Sequence, residues 1–286
     1  MAQEIPALWL QGASCSGCVV SVLNGVAPDI THLLLQQLVP GKHVSLRFMP
    51  TVMAGAGEVA VRELDRAGAT KGGYVLIVEG SVQTGADGAY CMIGEADGHE
   101  RSLASEVERL ARGAMAVIAL GTCASYGGIP AAAPDPTGAV GVGAFLEEKR
   151  VAVPVINIPG CPPHPDRFTG VIAGLLMRGL PGADELDDLG RPKCFYPLIH
   201  ENCERRPFFD AGKFAQKPGD DGCLYLVGCK GPVTYADCPI RKWNGGRNWP
   251  VENNSPCLGC TEPGFPDAMS PFHVKISDLE ELKLTF

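Results

Sequence analysis

Four runs of apolar residues along the chain close on glycine: ALWLQG (7–12), YVLIVEG (74–80), AVIALG (116–121) and PVINIPG (154–160). Each is short, β-type and nearly free of polar positions, the pattern of a strand buried on both faces. Between them the apolar positions fall at three- and four-residue spacing, in GEVAVRELDRAG (57–68), ERSLASEVERLARG (100–113), GAFLEEKR (143–150) and PDRFTGVIAGLLMRG (165–179). These segments read as amphipathic helices, the last opening on a proline at its first position. Alternating strands and helices imply an α/β fold, with a doubly wound parallel sheet over residues 1–180.

The pattern changes after residue 180. PGADELDDLGRP (181–192) reads as a linker or surface loop, and the remainder of the chain is rich in Gly, Pro, Asn and Trp with little sustained periodicity. A second, smaller and irregular domain is therefore expected over 181–286. Residues 203–260 nevertheless hold six of the 12 cysteines. A segment too irregular to bury a large core, but dense in soft ligands, is most simply organised by metal.

Composition narrows the function classes. At 45% hydrophobic and 20% charged the chain is an ordinary globular protein. Its net charge of -8, with no block of Lys and Arg, argues against a nucleic-acid partner. No apolar run is long enough to span a bilayer. MAQEIPALWL shows neither a twin-Arg or Lys start nor a hydrophobic core with a cleavage site, so the expectation is a cytoplasmic chain, with any membrane association made through partners. Under that expectation 12 cysteines mean metal rather than disulfides.

Topology then groups the thiols. In a doubly wound sheet, ligands bind outside the carboxyl ends of the strands. Cys15 and Cys18 follow the first Gly-closed run, Cys123 the third and Cys161 the fourth, so four thiols distant in sequence are carried to one edge. Cys161 lies in VINIPGCPPHP, where Gly160 allows close approach while Pro162 and Pro163 stiffen the backbone. The second domain offers His200-x2-Cys203, Cys223-x5-Cys229, Cys238 and Cys257-x2-Cys260. A C-x2-C pair suits zinc or iron-sulfur chemistry equally. Ten cysteines and one histidine divide into two four-ligand sites and one three-ligand site, whereas four-ligand zinc sites would leave three over.

Several residues carry weaker signals. Cys91 and Cys194 have no paired neighbour and are expected to pack as small hydrophobes. His164 and His273 lack the cysteine three residues on that supports His200. GAGEVA (55–60), with Glu79 downstream, matches a dinucleotide-binding pattern, but its first glycine does not directly follow the strand VSLRFM, so it reads as a helix start. No P-loop, H-E-x-x-H, paired-carboxylate or Ser-His-Asp pattern stands out. Three redox centres without a substrate site describe an electron conduit.

The motifs CSGC, GTCASYGG, PGCPPHP, H-x2-C, CPIRKWNGGRNWPVENNSPCLGC and EPGFPD occur here in one order. From about Leu8 to Phe272 the chain resembles the small, electron-transferring subunit of nickel-iron hydrogenases. That resemblance implies a flavodoxin-like first domain and an irregular cluster-binding second domain. It also implies a heterodimer with a large subunit that carries the nickel-iron centre, and an external acceptor that is a redox protein or a quinone. Carried over residue by residue, it makes Cys15, Cys18, Cys123 and Cys161 ligands of a proximal 4Fe-4S cluster. His200, Cys203, Cys223 and Cys229 become ligands of a distal 4Fe-4S cluster. Cys238, Cys257 and Cys260 become ligands of a medial 3Fe-4S cluster, with Pro250 where a fourth cysteine would stand. Gly17 and Gly128 occupy positions where oxygen-tolerant relatives have additional cysteines, and Ser14 stands where many relatives have Glu. Two other readings remain open at this level. One is the iron-sulfur subunit of a related quinone-reductase complex, which shares the sheet-edge cluster but lacks the second domain, and the other is a zinc-organised binding protein.

Overall fold

The computed structural model describes residues 3–29, 31–32, 40–69 and 73–274. Five parallel strands, β1 (Gln3–Gln11), β2 (Lys42–Phe48), β3 (Val75–Glu79), β4 (Ala116–Leu120) and β5 (Val155–Ile158), form a sheet in the order β2-β1-β3-β4-β5. This is the flavodoxin-like order, in which the chain reverses direction of travel across the sheet between β1 and β3. All residues of β3 and β4 are buried, as their unbroken apolar runs require, and Glu79 at the end of β3 is buried with them although it is polar. The registers align Gln11 with Glu79, Glu79 with Leu120, and Leu120 with Ile158, so four strands end in one row.

Alternate side chains of each strand face opposite sides of the sheet. Leu8, Leu10, Leu76, Val78, Val117 and Ala119 join one core with Leu64, Leu103, Val107, Leu110 and Phe145 from the covering helices. On the other face Trp9 meets Phe168, their ring centroids 5.3 Å apart. The helices are α1 (Gly17–Leu23), α2 (Glu58–Gly68), α3 (Leu103–Ala111), α4 (Thr122–Tyr126), α5 (Val142–Glu148) and α6 (Pro165–Arg178). The helix expected over 100–113 begins late. His99–Ser102 instead pairs antiparallel with Met92–Ala96, and Ser102 caps α3 by accepting from Ser105 N at 3.1 Å.

Compact units divide at Pro192 and Lys193 rather than at residue 180. The supposed linker packs on the edge of the sheet: Asn157 N and Nδ2 donate to Gly190 O and Leu189 O at 2.9 and 2.7 Å. Leu186 also forms an isolated bridge with Pro192. The second unit, from Lys193 onward, is built of single helical turns and isolated bridges, including Leu198 with Tyr235 and Phe214 with Cys223. Ile199, Ala215, Leu224, Val227, Ala236, Trp249 and Val251 make its small core, against which Cys203, Cys229, Cys238 and Cys257 pack. No helix among the described residues is long and apolar enough to cross a membrane.

Candidate functional site

In the first unit the site grows from the turn after β1. Gly12 N donates to Glu79 O at 2.7 Å, and Ala13 and Ser81 exchange backbone hydrogen bonds at 3.2 Å, tying the β1 and β3 exits together. The Glu79 side chain, fully buried, accepts from Trp9 Nε1 at 3.2 Å, Gln11 Nε2 at 3.1 Å, Ser14 Oγ at 3.0 Å and Val19 N at 3.2 Å. These donors lie on both sides of Cys15 and Cys18, so one carboxyl group holds the whole C-x2-C turn. Ser16 takes a left-handed conformation (φ 61°) as the chain enters α1.

Cys18, Cys123, Cys15 and Cys161 are close enough to influence one another. Burial pushes the Cys18 thiol far up, and Glu79, Cys123, Cys15 and Cys161 add to the shift. Burial raises Cys161 to about 11, reinforced by Cys123 and Cys15. Without metal such thiols stay protonated at neutral pH, and binding has to displace those protons. Glycines leave space at the sulfurs. A Cβ at Gly121 (φ 92°) would stand 2.4 Å from Cys18 Sγ, and one at Gly128 (φ 57°) 2.9 Å from Cys123 Sγ. A Cβ on Gly17 would lie 3.2 Å from Cys15 Sγ. Gly160 has a different role from the one its sequence setting suggests, because a Cβ there would strike Pro163 Cα at 2.6 Å. It lets the chain fold back on itself next to Cys161.

The second unit holds two further groups. His200 sits on the helical turn Ile199–Asn202, and its Nε2 is buried without a hydrogen-bond partner. It faces a pocket also lined by Cys203, Cys223 and Cys229. The ring stands edge-on to Phe209, centroids 4.6 Å apart, and burial lowers its pKa, favouring the neutral form that a ligand needs. Burial lifts Cys203 to about 11, and Glu204, Cys229 and Cys223 push the same way. Arg205 N donates to Cys203 Sγ at 3.4 Å, while its guanidinium donates to Val251 O, Gly222 O and Asn254 Oδ1 at 3.0, 2.7 and 2.6 Å. Cys257 is raised well above the usual thiol range by burial, and then by Cys229, Cys260 and Cys238. Cys238 opens a short helix (Cys238–Arg241). Pro250 is exposed between the buried Trp249 and Val251.

The donor sets fit iron-sulfur clusters. They are thiol-rich, they converge from separate segments, and they are bordered by space that a Cβ would fill and by a buried imidazole nitrogen with no partner. A cluster spreads its protein ligands over several iron atoms. Cys91 packs against the sheet core, as expected of a structural cysteine, whereas Cys194, expected to pack in the same way, is exposed. GAGEVA ends at the start of α2, with Gly57 its first flanking residue. Glu79, which the sequence offered only as part of that dinucleotide pattern, is instead the organiser of the first-unit site. An acid closing an otherwise apolar strand was the available signal.

Comparison with known proteins agrees with both units. Residues 195–273 match the family model for the C-terminal region of the NiFe/NiFeSe hydrogenase small subunit, and residues 15–175 match that of the NADH ubiquinone oxidoreductase 20 Kd subunit. The chain is 43% identical over 284 residues to the periplasmic NiFeSe hydrogenase small subunit of Desulfomicrobium baculatum, covering 96% of this chain and 88% of that one. It is 42% identical to the periplasmic NiFe hydrogenase small subunit of Solidesulfovibrio fructosivorans, covering 93% and 80%. The solved NiFeSe hydrogenase of Desulfovibrio vulgaris Hildenborough superposes with a TM-score of 0.89 at 45% identity, covering 96% of this chain and 99% of that chain. The expectation of a cytoplasmic protein is overturned by the periplasmic relatives. It rested on reading no leader in MAQEIPALWL, and a leader is removed from a mature secreted chain, so that reading does not bear on location.

Proposed function

The chain belongs to the small subunits of NiFe/NiFeSe hydrogenases, and from that premise we propose which of its residues hold the three iron-sulfur clusters of the family. Cys15, Cys18, Cys123 and Cys161 hold the proximal 4Fe-4S cluster. His200, Cys203, Cys223 and Cys229 hold the distal 4Fe-4S cluster, and Cys238, Cys257 and Cys260 the medial 3Fe-4S cluster. The observation that carries this assignment is His200 Nε2, buried and unpartnered in a pocket lined by three cysteines. A buried imidazole nitrogen without a partner is costly, and an iron atom in that pocket would relieve the cost.

The nickel-iron centre is on the large subunit of the heterodimer, where hydrogen is converted to two protons and two electrons. When bound, the clusters supply one-electron steps at potentials set by burial, charge and hydrogen bonds to sulfur. The chain's own part is to fix each thiolate and to exclude water. The N–H groups of Ile129, Arg205, Tyr225 and Gly231 offset burial at Cys123, Cys203, Cys223 and Cys229. Neutral His200 in place of a thiolate raises the distal potential. The acceptor is a redox protein or quinone reached from the periplasmic side. The quinone-reductase reading is disfavoured because its family model matches only the first unit, whereas the hydrogenase relatives cover both.

Metal analysis and a ligand substitution test the assignment on the heterodimer. About eleven iron atoms with matching sulfide are expected from the three clusters of this chain. Cys161→Ser should alter the proximal signal in electron paramagnetic resonance (EPR) and stop hydrogen-dependent dye reduction. Dye reduction that persists in this variant with all three signals intact refutes it, as does zinc without sulfide.

A further inference from the structure

Two of the proposed ligand sets touch at one residue. Cys257 N donates to Cys229 Sγ at 3.3 Å, and Lys230 N donates to Cys257 O at 2.8 Å. The residue assigned to the medial cluster is thus fastened by both of its backbone polar groups to the segment assigned to the distal cluster. Lys230 itself is buried, and its Cβ would lie 3.5 Å from a Cβ on Gly259, so the segment after Cys229 packs against the loop between Cys257 and Cys260.

We propose that Cys257 serves both centres of the second unit: its sulfur holds the medial cluster, while its amide N–H, bonded to Cys229 Sγ, stabilises the reduced distal cluster and links the two. This rests on the ligand assignment above. A hydrogen bond to a ligand sulfur favours the more negative, reduced state and so raises the potential. The same bond completes a route from Cys257 Sγ through Cβ, Cα and N–H to Cys229 Sγ, and electronic coupling decays more slowly through bonds than across empty space. The transfer is of one electron, the medial centre being oxidised by one as the distal centre is reduced by one. The amide proton stays on nitrogen.

Pulsed EPR of the reduced distal signal, in heterodimer labelled with nitrogen-15 cysteine, tests this without recourse to activity. Several couplings are expected, including one from the amide of residue 257. Cys257→Ser replaces that nitrogen with unlabelled nitrogen and should lose one nitrogen-15 coupling. Cys260→Ser removes a ligand of the same set but leaves residue 257 labelled, and should lose none. Loss in both variants, or in neither, overturns the shared role of Cys257. Histidine labelling checks the underlying assignment separately: a distal signal with no coupling to His200 nitrogen would overturn the ligand set itself.

Discussion

Glu79 shows how much a single buried carboxyl group can decide. Its four donors come from β1, from the turn holding Cys15 and from the start of α1, so losing it leaves Trp9 Nε1 and Val19 N buried without acceptors. Glu79→Ala should cost roughly 3 kcal/mol or more in denaturant unfolding, together with loss of proximal-cluster iron. Glu79→Gln retains an acceptor oxygen but removes a negative charge that acts on Cys18. The proximal cluster should then remain and its midpoint rise in a potentiometric EPR titration, with the other two midpoints unmoved. An unchanged proximal midpoint would refute an electrostatic action of Glu79 on that cluster. Gly121 offers a steric counterpart, because its Cβ would enter the Cys18 sulfur at 2.4 Å from a backbone with φ 92°. Gly121→Ala is expected to lower iron by about four atoms per chain, the content of the one cluster at that edge. The role of Glu79 was not read from the sequence, where it entered only beside a dinucleotide pattern that was set aside, and an acid closing an apolar strand was the one signal for it. Its partners Trp9 and Val19 are 70 and 60 residues away, and only the β1–β3 register brings them to it.

Elements were legible where their burial was uniform. VLIV and AVIAL announce β3 and β4 because both faces are covered, and the closing glycines mark where the chain must turn out of the sheet. β2, read as the strand VSLRFM, stands apart from the glycine-closed runs, since its burial is mixed and no glycine closes it at Phe48. ERSLASEVERLARG failed at its start for a specific reason. The apolar spacing runs from Leu103 onward, but Glu100 and Arg101 are recruited into a hairpin whose partner strand lies upstream. The boundary is set by Ser102, whose Oγ accepts from Ser105 N. Ser102→Ala should cost about 1 kcal/mol, with faster hydrogen exchange in the first turn of α3. Gly143, inside α5 with open space where a Cβ would go, predicts the opposite sign. Gly143→Ala should stabilise by about 0.5–1 kcal/mol in the same unfolding measurement and leave iron content unchanged.

For the whole chain, the two units depend on metal to different degrees. The first has a five-stranded sheet covered on both faces, with a core extending from Leu8 to Val151. Among its described residues the second has one core cluster of seven buried side chains, single helical turns in place of long elements, and four cysteines among the groups packed on that cluster. This contrast was foreshadowed by the loss of periodicity after residue 180, although the boundary itself moved to Pro192 once Asn157 gathered the following loop onto the sheet. Hydrophobic burial of this size barely offsets the entropy of ordering such a segment, so ligand bonds to iron have to supply much of its folding free energy. Stripping iron with a chelator under reducing conditions should therefore unfold residues 193–274 first. Limited proteolysis of the stripped chain, separated from its partner, is expected to leave a fragment ending near Pro192, while cluster-loaded protein resists under the same conditions. Hydrogen exchange should report the same order, with β3 and β4 amides protected after those around Cys203 and Cys257 have exchanged. Equal loss of both units would mean that the proximal cluster is as necessary to the sheet as the other two are to the second unit. The strands would then be held at their carboxyl ends by the metal as much as by their own core.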